Sequence, residues 1–241
     1  MTHYVLVHGA WASAWVWRDF IPLLTSQDHT ATAPTLTGLG ERVHLASPEV
    51  SLQTHVQDVL NHMFFKDVTD VTLVGHSYGG QVITGVADQA PERIKHLVYL
   101  DAFLLRNGET IMQVNEGPGS RPLELEDGWK LSPRRPPPLP DATTPSPVEL
   151  WRRARIAPMP IHCMDTGITL STPLEDRPFT RTYIKATADK PPPEGTGNPA
   201  FWQAAKFAKN DPAWSYFEVP TSHNVQITMP NELTQILLKL T

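Results

Sequence analysis

The sequence is poor in cysteine. Cys163 is the one example among 241 residues, which excludes an internal disulfide and any multi-cysteine zinc or iron–sulfur cage and fits a reducing compartment. Blocks of Lys or Arg are missing as well. With 20 basic against 25 acidic residues and a formal charge of -5, no stripe could follow a phosphate backbone, so nucleic acid is not an expected partner. Apolar runs are short: stretches such as Ile236-Leu237-Leu238 fall far below the roughly 18 residues that span a bilayer, and the N-terminus shows no basic region followed by an apolar stretch. The expectation is a soluble, cytoplasmic protein. Neither Gly-x-Gly-x-x-Gly nor Gly-x-x-x-x-Gly-Lys occurs, so no cofactor is expected.

Proline, by contrast, is abundant. There are 24, and 17 of them lie between Pro118 and Pro199. Proline removes a backbone donor and fixes φ, so long helices and central strands should not persist there; an irregular insertion with short helices is expected. Outside that stretch, β-rich runs alternate with helical patterns. Strands are expected at Tyr4–Val7, Thr30–Thr35, Val71–Val74, His96–Leu100, Thr182–Ile184 and Ser215–Val219, where β-branched and aromatic residues cluster. Helices are expected at Trp15–Leu24, after a possible N-cap at Ser51 with Leu52, Val56, Val59, Leu60 and Met63 at helical spacing, at Gln81–Gln89, near Phe201–Ala208, and at Asn231–Leu240. Such alternation implies a largely parallel sheet in an α/β fold, and at 241 residues one large domain can bury a full core. No repeat is present that would suggest a solenoid or propeller.

Gly75-His76-Ser77-Tyr78-Gly79 matches Gly-x-Ser-x-Gly, the nucleophile elbow. A strand turning sharply into a helix leaves no room for a Cβ two residues before or after the serine, and the serine is held exposed. A serine hydroxyl needs a base, and in a fold with this elbow the base is a histidine on a loop after the last strand. His223, in the turn-like Pro220-Thr221-Ser222-His223-Asn224, fits that place better than the other nine histidines. A carboxylate should then fix the imidazole tautomer. Two candidates follow strands: Asp189, favoured because the loop after the strand that follows the insertion is the more usual location, and Asp101, one strand beyond the elbow, as the alternative. The oxyanion of a tetrahedral intermediate needs backbone N–H donors, expected from Tyr78 after the nucleophile and from Ala10 in the glycine turn after the first strand, where Gly9 permits close approach.

These segments together resemble the α/β-hydrolase superfamily, and within it the plant methyl esterases, hydroxynitrile lyases and bacterial pyrethroid-type esterases. The resemblance rests on Val5-Leu6-Val7-His8-Gly9-Ala10-Trp11, Leu36-Thr37-Gly38-Leu39-Gly40-Glu41-Arg42, Gly75-His76-Ser77-Tyr78-Gly79-Gly80, Leu97-Val98-Tyr99-Leu100-Asp101-Ala102-Phe103 and Ser222-His223. It implies a hydrolase core at residues 1–102 and 182–241, with residues 103–181 as a proline-rich cap that covers the serine and shapes the acyl and alcohol pockets. The lyases of this group have a threonine after the first-strand histidine and a lysine after the catalytic histidine. Here those positions are Gly9 and Asn224, which argues for ester hydrolysis.

The function expected is therefore a serine esterase acting on small to medium apolar or aromatic carboxylic esters. The alternatives are a lyase-like or other C–C bond-cleaving enzyme on the same triad, or a non-catalytic ligand-binding member. The expected partner is the small-molecule ester, and a homodimer is compatible with the sequence. Gly9, Trp11, Phe103, Trp129, Trp151, Met159, Met164 and Phe179 are candidate pocket residues, although Trp and Met also serve to pack a small cap against its base. His162-Cys163-x-Asp165 matches no metal framework, so no metal is expected. Pro136-Pro137-Pro138 and Pro191-Pro192-Pro193 read as rigid connections before they read as polyproline ligands.

Overall fold

The computed structural model describes residues 1–115, 124–133, 147–195 and 197–240. Strands β1 (His3–Val7), β2 (Thr30–Thr32), β3 (Val71–His76), β4 (Ile94–Leu100), β8 (Thr180–Ala186) and β9 (Trp214–Val219) form one sheet in the order β2-β1-β3-β4-β8-β9. Every pairing in it is parallel. Three short strands, β5 (Leu125–Glu126), β6 (Lys130–Leu131) and β7 (Met159–Pro160), make a separate antiparallel sheet within the segment between β4 and β8.

The inner strands are buried on both sides because helices cover both faces, which is why they read as continuous apolar runs and not as alternations. Successive residues nonetheless serve opposite cores. Tyr4, Leu6, Val74, Val98, Leu100 and Ile184 face Trp17, Phe20, Leu24 and the C-terminal Val225, Leu233 and Ile236. Val5, Val7, Leu73, Leu97, Tyr99 and Tyr183 face the opposite cluster with Val56, Val59, Val82, Ile83 and Phe201.

The helices are α1 (Ile21–Thr25), α2 (Leu52–Phe65), α3 (Gly79–Gln89), α4 (Ile111–Asn115), α5 (Pro147–Arg153), α6 (His162–Asp165), α7 (Pro199–Asn210), α8 (Val225–Thr228) and α9 (Pro230–Leu238). In α2 the spaced residues Leu52, Val56, Val59 and Met63 are buried as expected, and His55 is buried with them. The helix expected at Trp15–Leu24 is instead two pieces, a 3-10 turn at Ala14–Trp17 and then α1. Pro22 sits at the start of α1, where its missing N–H costs nothing but where a continuous helix would clash. The second strand stops at Thr32, short of the expected Thr35.

The described residues between β4 and β8 are irregular with short helices, as the prolines of this segment suggest, and Pro136-Pro137-Pro138 lies outside the described residues. The segment is fastened to the loop after β1: Trp11 Nε1 donates to the Leu131 carbonyl at 2.9 Å, and the Ala157 N–H donates to the Trp11 carbonyl at 3.0 Å. Among the described residues no helix is long and apolar enough to cross a membrane.

Candidate active site

Ser77 stands between β3 and α3 with φ of 56°, a left-handed conformation that a non-glycine residue holds only when its surroundings enforce it. The Ser77 N–H donates to the Leu100 carbonyl, and its own carbonyl accepts from the N–H groups of Gly80 and Phe103. The elbow is tight. A Cβ on Gly75 would lie 2.5 Å from the Gly79 carbonyl oxygen, and one on Gly79 would lie 2.8 Å from the Val7 carbonyl oxygen, so each glycine is required by its own contact.

His223 follows β9 and precedes α8. Its Nδ1 lies 2.6 Å from Asp101 Oδ2. Asp189, the favoured sequence candidate for that contact, is elsewhere: its carboxylate accepts from the backbone N–H of His223 at 2.8 Å. The ring's carboxylate partner is thus Asp101. The reason is positional, since Asp101 ends the strand next to the elbow strand, is itself in a left-handed conformation (φ 41°) and projects its buried side chain beneath the His223 loop. Burial by itself would raise the Asp101 carboxyl, but the hydrogen bond and charge of His223 and of Lys185 outweigh it and hold the group below its ordinary value.

Three further groups shape the imidazole, none of them singled out by sequence reasoning. His76 lies with its ring centroid 4.5 Å from that of His223, and its Nε2–H donates to the His223 carbonyl at 3.0 Å. Burial pushes His76 down to about 3, so it is neutral. Phe201 of α7 stacks on the His223 ring at 5.0 Å and 10°, and Phe103 meets Phe201 edge-on at 4.7 Å. Lys185, on β8, puts Nζ 2.6 Å from Asp101 Oδ1. A single Lys in Thr-Tyr-Ile-Lys-Ala carries no outward sign that it faces inward.

The two expected N–H donors sit on either side of the elbow. Among the described residues neither Ala10 N nor Tyr78 N has a hydrogen-bond partner. The Gly9–Ala10 peptide is held from behind by His8, the Ser77–Tyr78 peptide by the two N–H groups that donate to the Ser77 carbonyl, and the Tyr78 side chain by His55. His8 Nδ1–H donates to the Gly9 carbonyl at 2.8 Å while its Nε2 accepts from the Leu36 N–H at 3.1 Å, which fixes the tautomer. Burial drives His8 down to about 4. The Tyr78 hydroxyl donates to His55 Nδ1 at 2.8 Å, and His55 Nε2–H donates to the Thr37 carbonyl. Thr37 is tied in turn to Asp58, and Asp58 to Arg42. Gly9 has no space to spare, because a Cβ there would be 2.9 Å from Ser77 Cβ.

The pocket candidates divide. Gly9 abuts Ser77 and Phe103 meets Phe201, whereas Trp11 is fastened to Leu131. Met159, Met164 and Phe179 are buried in the core cluster. Trp151 is packed edge-on to Trp15, with the guanidinium groups of Arg18 and Arg155 at 4.2 Å and 4.0 Å from its ring centroid. Trp129 is half-buried in the turn between β5 and β6, with Lys130 over its ring. His162 pairs with Asp165 at 3.1 Å.

Residues 4–235 match the alpha/beta hydrolase family. Over its whole length the chain is similar to the carbendazim hydrolyzing esterase of Nocardioides sp. (strain SG-4G), at 35% identity over 257 residues with 100% of each chain covered. A shorter stretch is similar to the alpha-hydroxynitrile lyase of Arabidopsis thaliana, 36% identical over 103 residues, or 42% of this chain and 40% of the lyase. A solved pyrethroid hydrolase shares the fold, with a TM-score of 0.77 at 20% identity over 100% of this chain and 97% of its own. With the elbow, the parallel sheet and a match of this extent, the chain belongs to the alpha/beta hydrolase family.

Proposed function

We propose that this esterase-type hydrolase cleaves small to medium apolar or aromatic carboxylic esters through Ser77, His223 and Asp101, by way of an acyl-enzyme. The observation that carries the reading is the 2.6 Å contact between Asp101 and Nδ1 of His223. A ring whose Nδ1–H is spent on a carboxylate keeps a lone pair on Nε2, the form a general base needs. Ser77 Oγ attacks the ester carbonyl and Nε2 takes its proton. Asp101 stabilises the imidazolium, which then protonates the leaving alcohol, and water repeats the cycle on the acyl-enzyme. The N–H groups of Ala10 and Tyr78 receive the oxyanion, with no reorganisation because His8 holds the Gly9–Ala10 peptide and the N–H groups of Gly80 and Phe103 hold the Ser77 carbonyl.

The substrate class is supported by the full-length relative, which by its name hydrolyses carbendazim, and by the aromatic wall of Phe103 and Phe201 beside the imidazole. Residues 103–181 serve as the cap over this wall, latched through Trp11, on a core formed by residues 1–102 and 182–241. Cyanohydrin cleavage is disfavoured: Asn224 brings no cation after His223, and a side chain at Gly9 would press on Ser77.

The test is a p-nitrophenyl ester series of increasing acyl length, together with carbendazim, run on the wild type beside Ser77→Ala. Saturable turnover that falls by roughly 10³ or more in the variant is expected. Near-normal turnover in Ser77→Ala ends the proposal.

A further inference from the structure

Lys185 is 1% exposed, and a buried ammonium is costly unless it is paired and hydrogen-bonded. Its Nζ donates to Asp101 Oδ1 at 2.6 Å and to the Ala186 carbonyl at 2.5 Å, and it lies 4.4 Å over the ring of Trp202. The Ala186 N–H adds a second bond to Asp101 Oδ1 at 3.3 Å. Trp202 donates its Nε1–H to the Asp189 carbonyl at 2.9 Å, so one indole braces both the lysine and the loop that holds the His223 backbone. The carboxylate is therefore divided, with Oδ1 committed to Lys185 and Ala186 and Oδ2 left for the imidazole.

We propose that Lys185 is a positioning residue of this site, acting through Asp101 to aim Oδ2 at His223 and to offset the carboxylate's charge beside the imidazole. This rests on the esterase reading above. The second effect follows from the charges. Asp101 and Lys185 cancel, so a proton added to His223 takes the buried cluster from neutral to positive. Without the ammonium the same proton would take it from negative to neutral, which is much easier in a low-dielectric surrounding.

The other groups facing the pair do not supply this control. His76, from the end of β3, is neutral. Tyr183 on β8 and Tyr216 on β9 are both pushed up, chiefly by burial, and stay uncharged. Asp189, which accepts from the His223 backbone N–H, is an acid and brings no positive charge. Lys190 stands farther out, 4.9 Å from the Trp202 ring.

The experiment compares wild type, Lys185→Met, Lys185→Gln and Lys185→Arg by two readouts. One is the pH profile of kcat/KM for p-nitrophenyl acetate. The other is an NMR titration of the His223 ring, assigned with His223→Gln, which needs no turnover. In Lys185→Met both the acid limb and the ring midpoint should move up by about one unit, with the alkaline plateau reduced only a few-fold, while Lys185→Arg should stay near the wild type. Lys185→Gln, which keeps a donor but drops the charge, gives the same upward shift and stands in if the methionine variant does not fold. An unmoved midpoint in the neutral variants, or a loss of rate equal at every pH, overturns the proposal. Absence of Ser77-dependent turnover in the wild type would instead overturn the esterase reading, and the NMR midpoint would still decide the role of Lys185.

Discussion

The carboxylate of Asp189 accepts the backbone N–H of His223 at 2.8 Å and leaves the ring to Asp101. The two acids consequently differ in what their removal should do. Asp101→Asn would present an amide to Nδ1 and disfavour the tautomer that leaves Nε2 free, so kcat should fall by roughly 10³ to 10⁴. Asp189→Asn retains an oxygen that can accept the same N–H, so its loss should stay within about tenfold. Steady-state kinetics of both variants on one ester decides the matter; equal losses would return Asp189 to the role the sequence first suggested for it.

His8 offers a second test, because the Gly9–Ala10 peptide is trans and its carbonyl is turned to His8 Nδ1. The Ala10 N–H must then point the other way, towards the elbow. His8→Ala frees that peptide to rotate. A group that stabilises only the transition state should show its loss in kcat, here about 10- to 100-fold, with KM changed by less than about threefold. A raised KM with unchanged kcat would mean that His8 shapes the ground-state pocket and not the oxyanion site.

Much of this architecture was legible in the chain, for reasons that also explain what was not. The strands Tyr4–Val7, Val71–Val74 and His96–Leu100 read clearly because both of their faces are buried, and Ser77 read clearly because the elbow's glycine spacing is a steric requirement. His223 followed from its place after the last strand. The choice between Asp101 and Asp189 could not be made from order alone, since both follow strands that run in the same direction and end at the same edge of the sheet. Lys185 escaped because its neighbours Thr182, Tyr183 and Ile184 are buried on alternating faces, and nothing in the spacing shows that a lysine among them has a carboxylate to meet. Phe201 and His76 escaped for a related reason: helix α7 and the elbow bring them to His223 only through packing. The Trp15–Leu24 segment is two pieces and not the one helix its apolar spacing predicts, because Pro22 imposes a break that the spacing does not show.

The buried histidines bear on stability as well as on the site. His8, His55 and His76 are pushed, chiefly by burial, to about 4, 4 and 3, against about 6.5 in an unfolded chain. Because the folded values are the lower ones, the unfolded state binds more protons between them, and stability is lost as pH falls below about 6.5 until the folded values are reached. Each histidine contributes up to about 1.4 kcal/mol per pH unit in that window. Asp101, held low by His223 and Lys185 against the opposing effect of burial, adds to the loss only below its unfolded value of about 3.9. The urea midpoint should therefore fall steeply between pH 6.5 and 4.5, and replacing His55 with Gln should remove close to one proton from the slope of unfolding free energy against pH. A slope unchanged by that replacement, or a midpoint that stays level down to pH 4.5, would show that these rings are protonated in the folded protein, where His8 Nε2 and His55 Nδ1 could not accept from the Leu36 N–H and the Tyr78 hydroxyl as described.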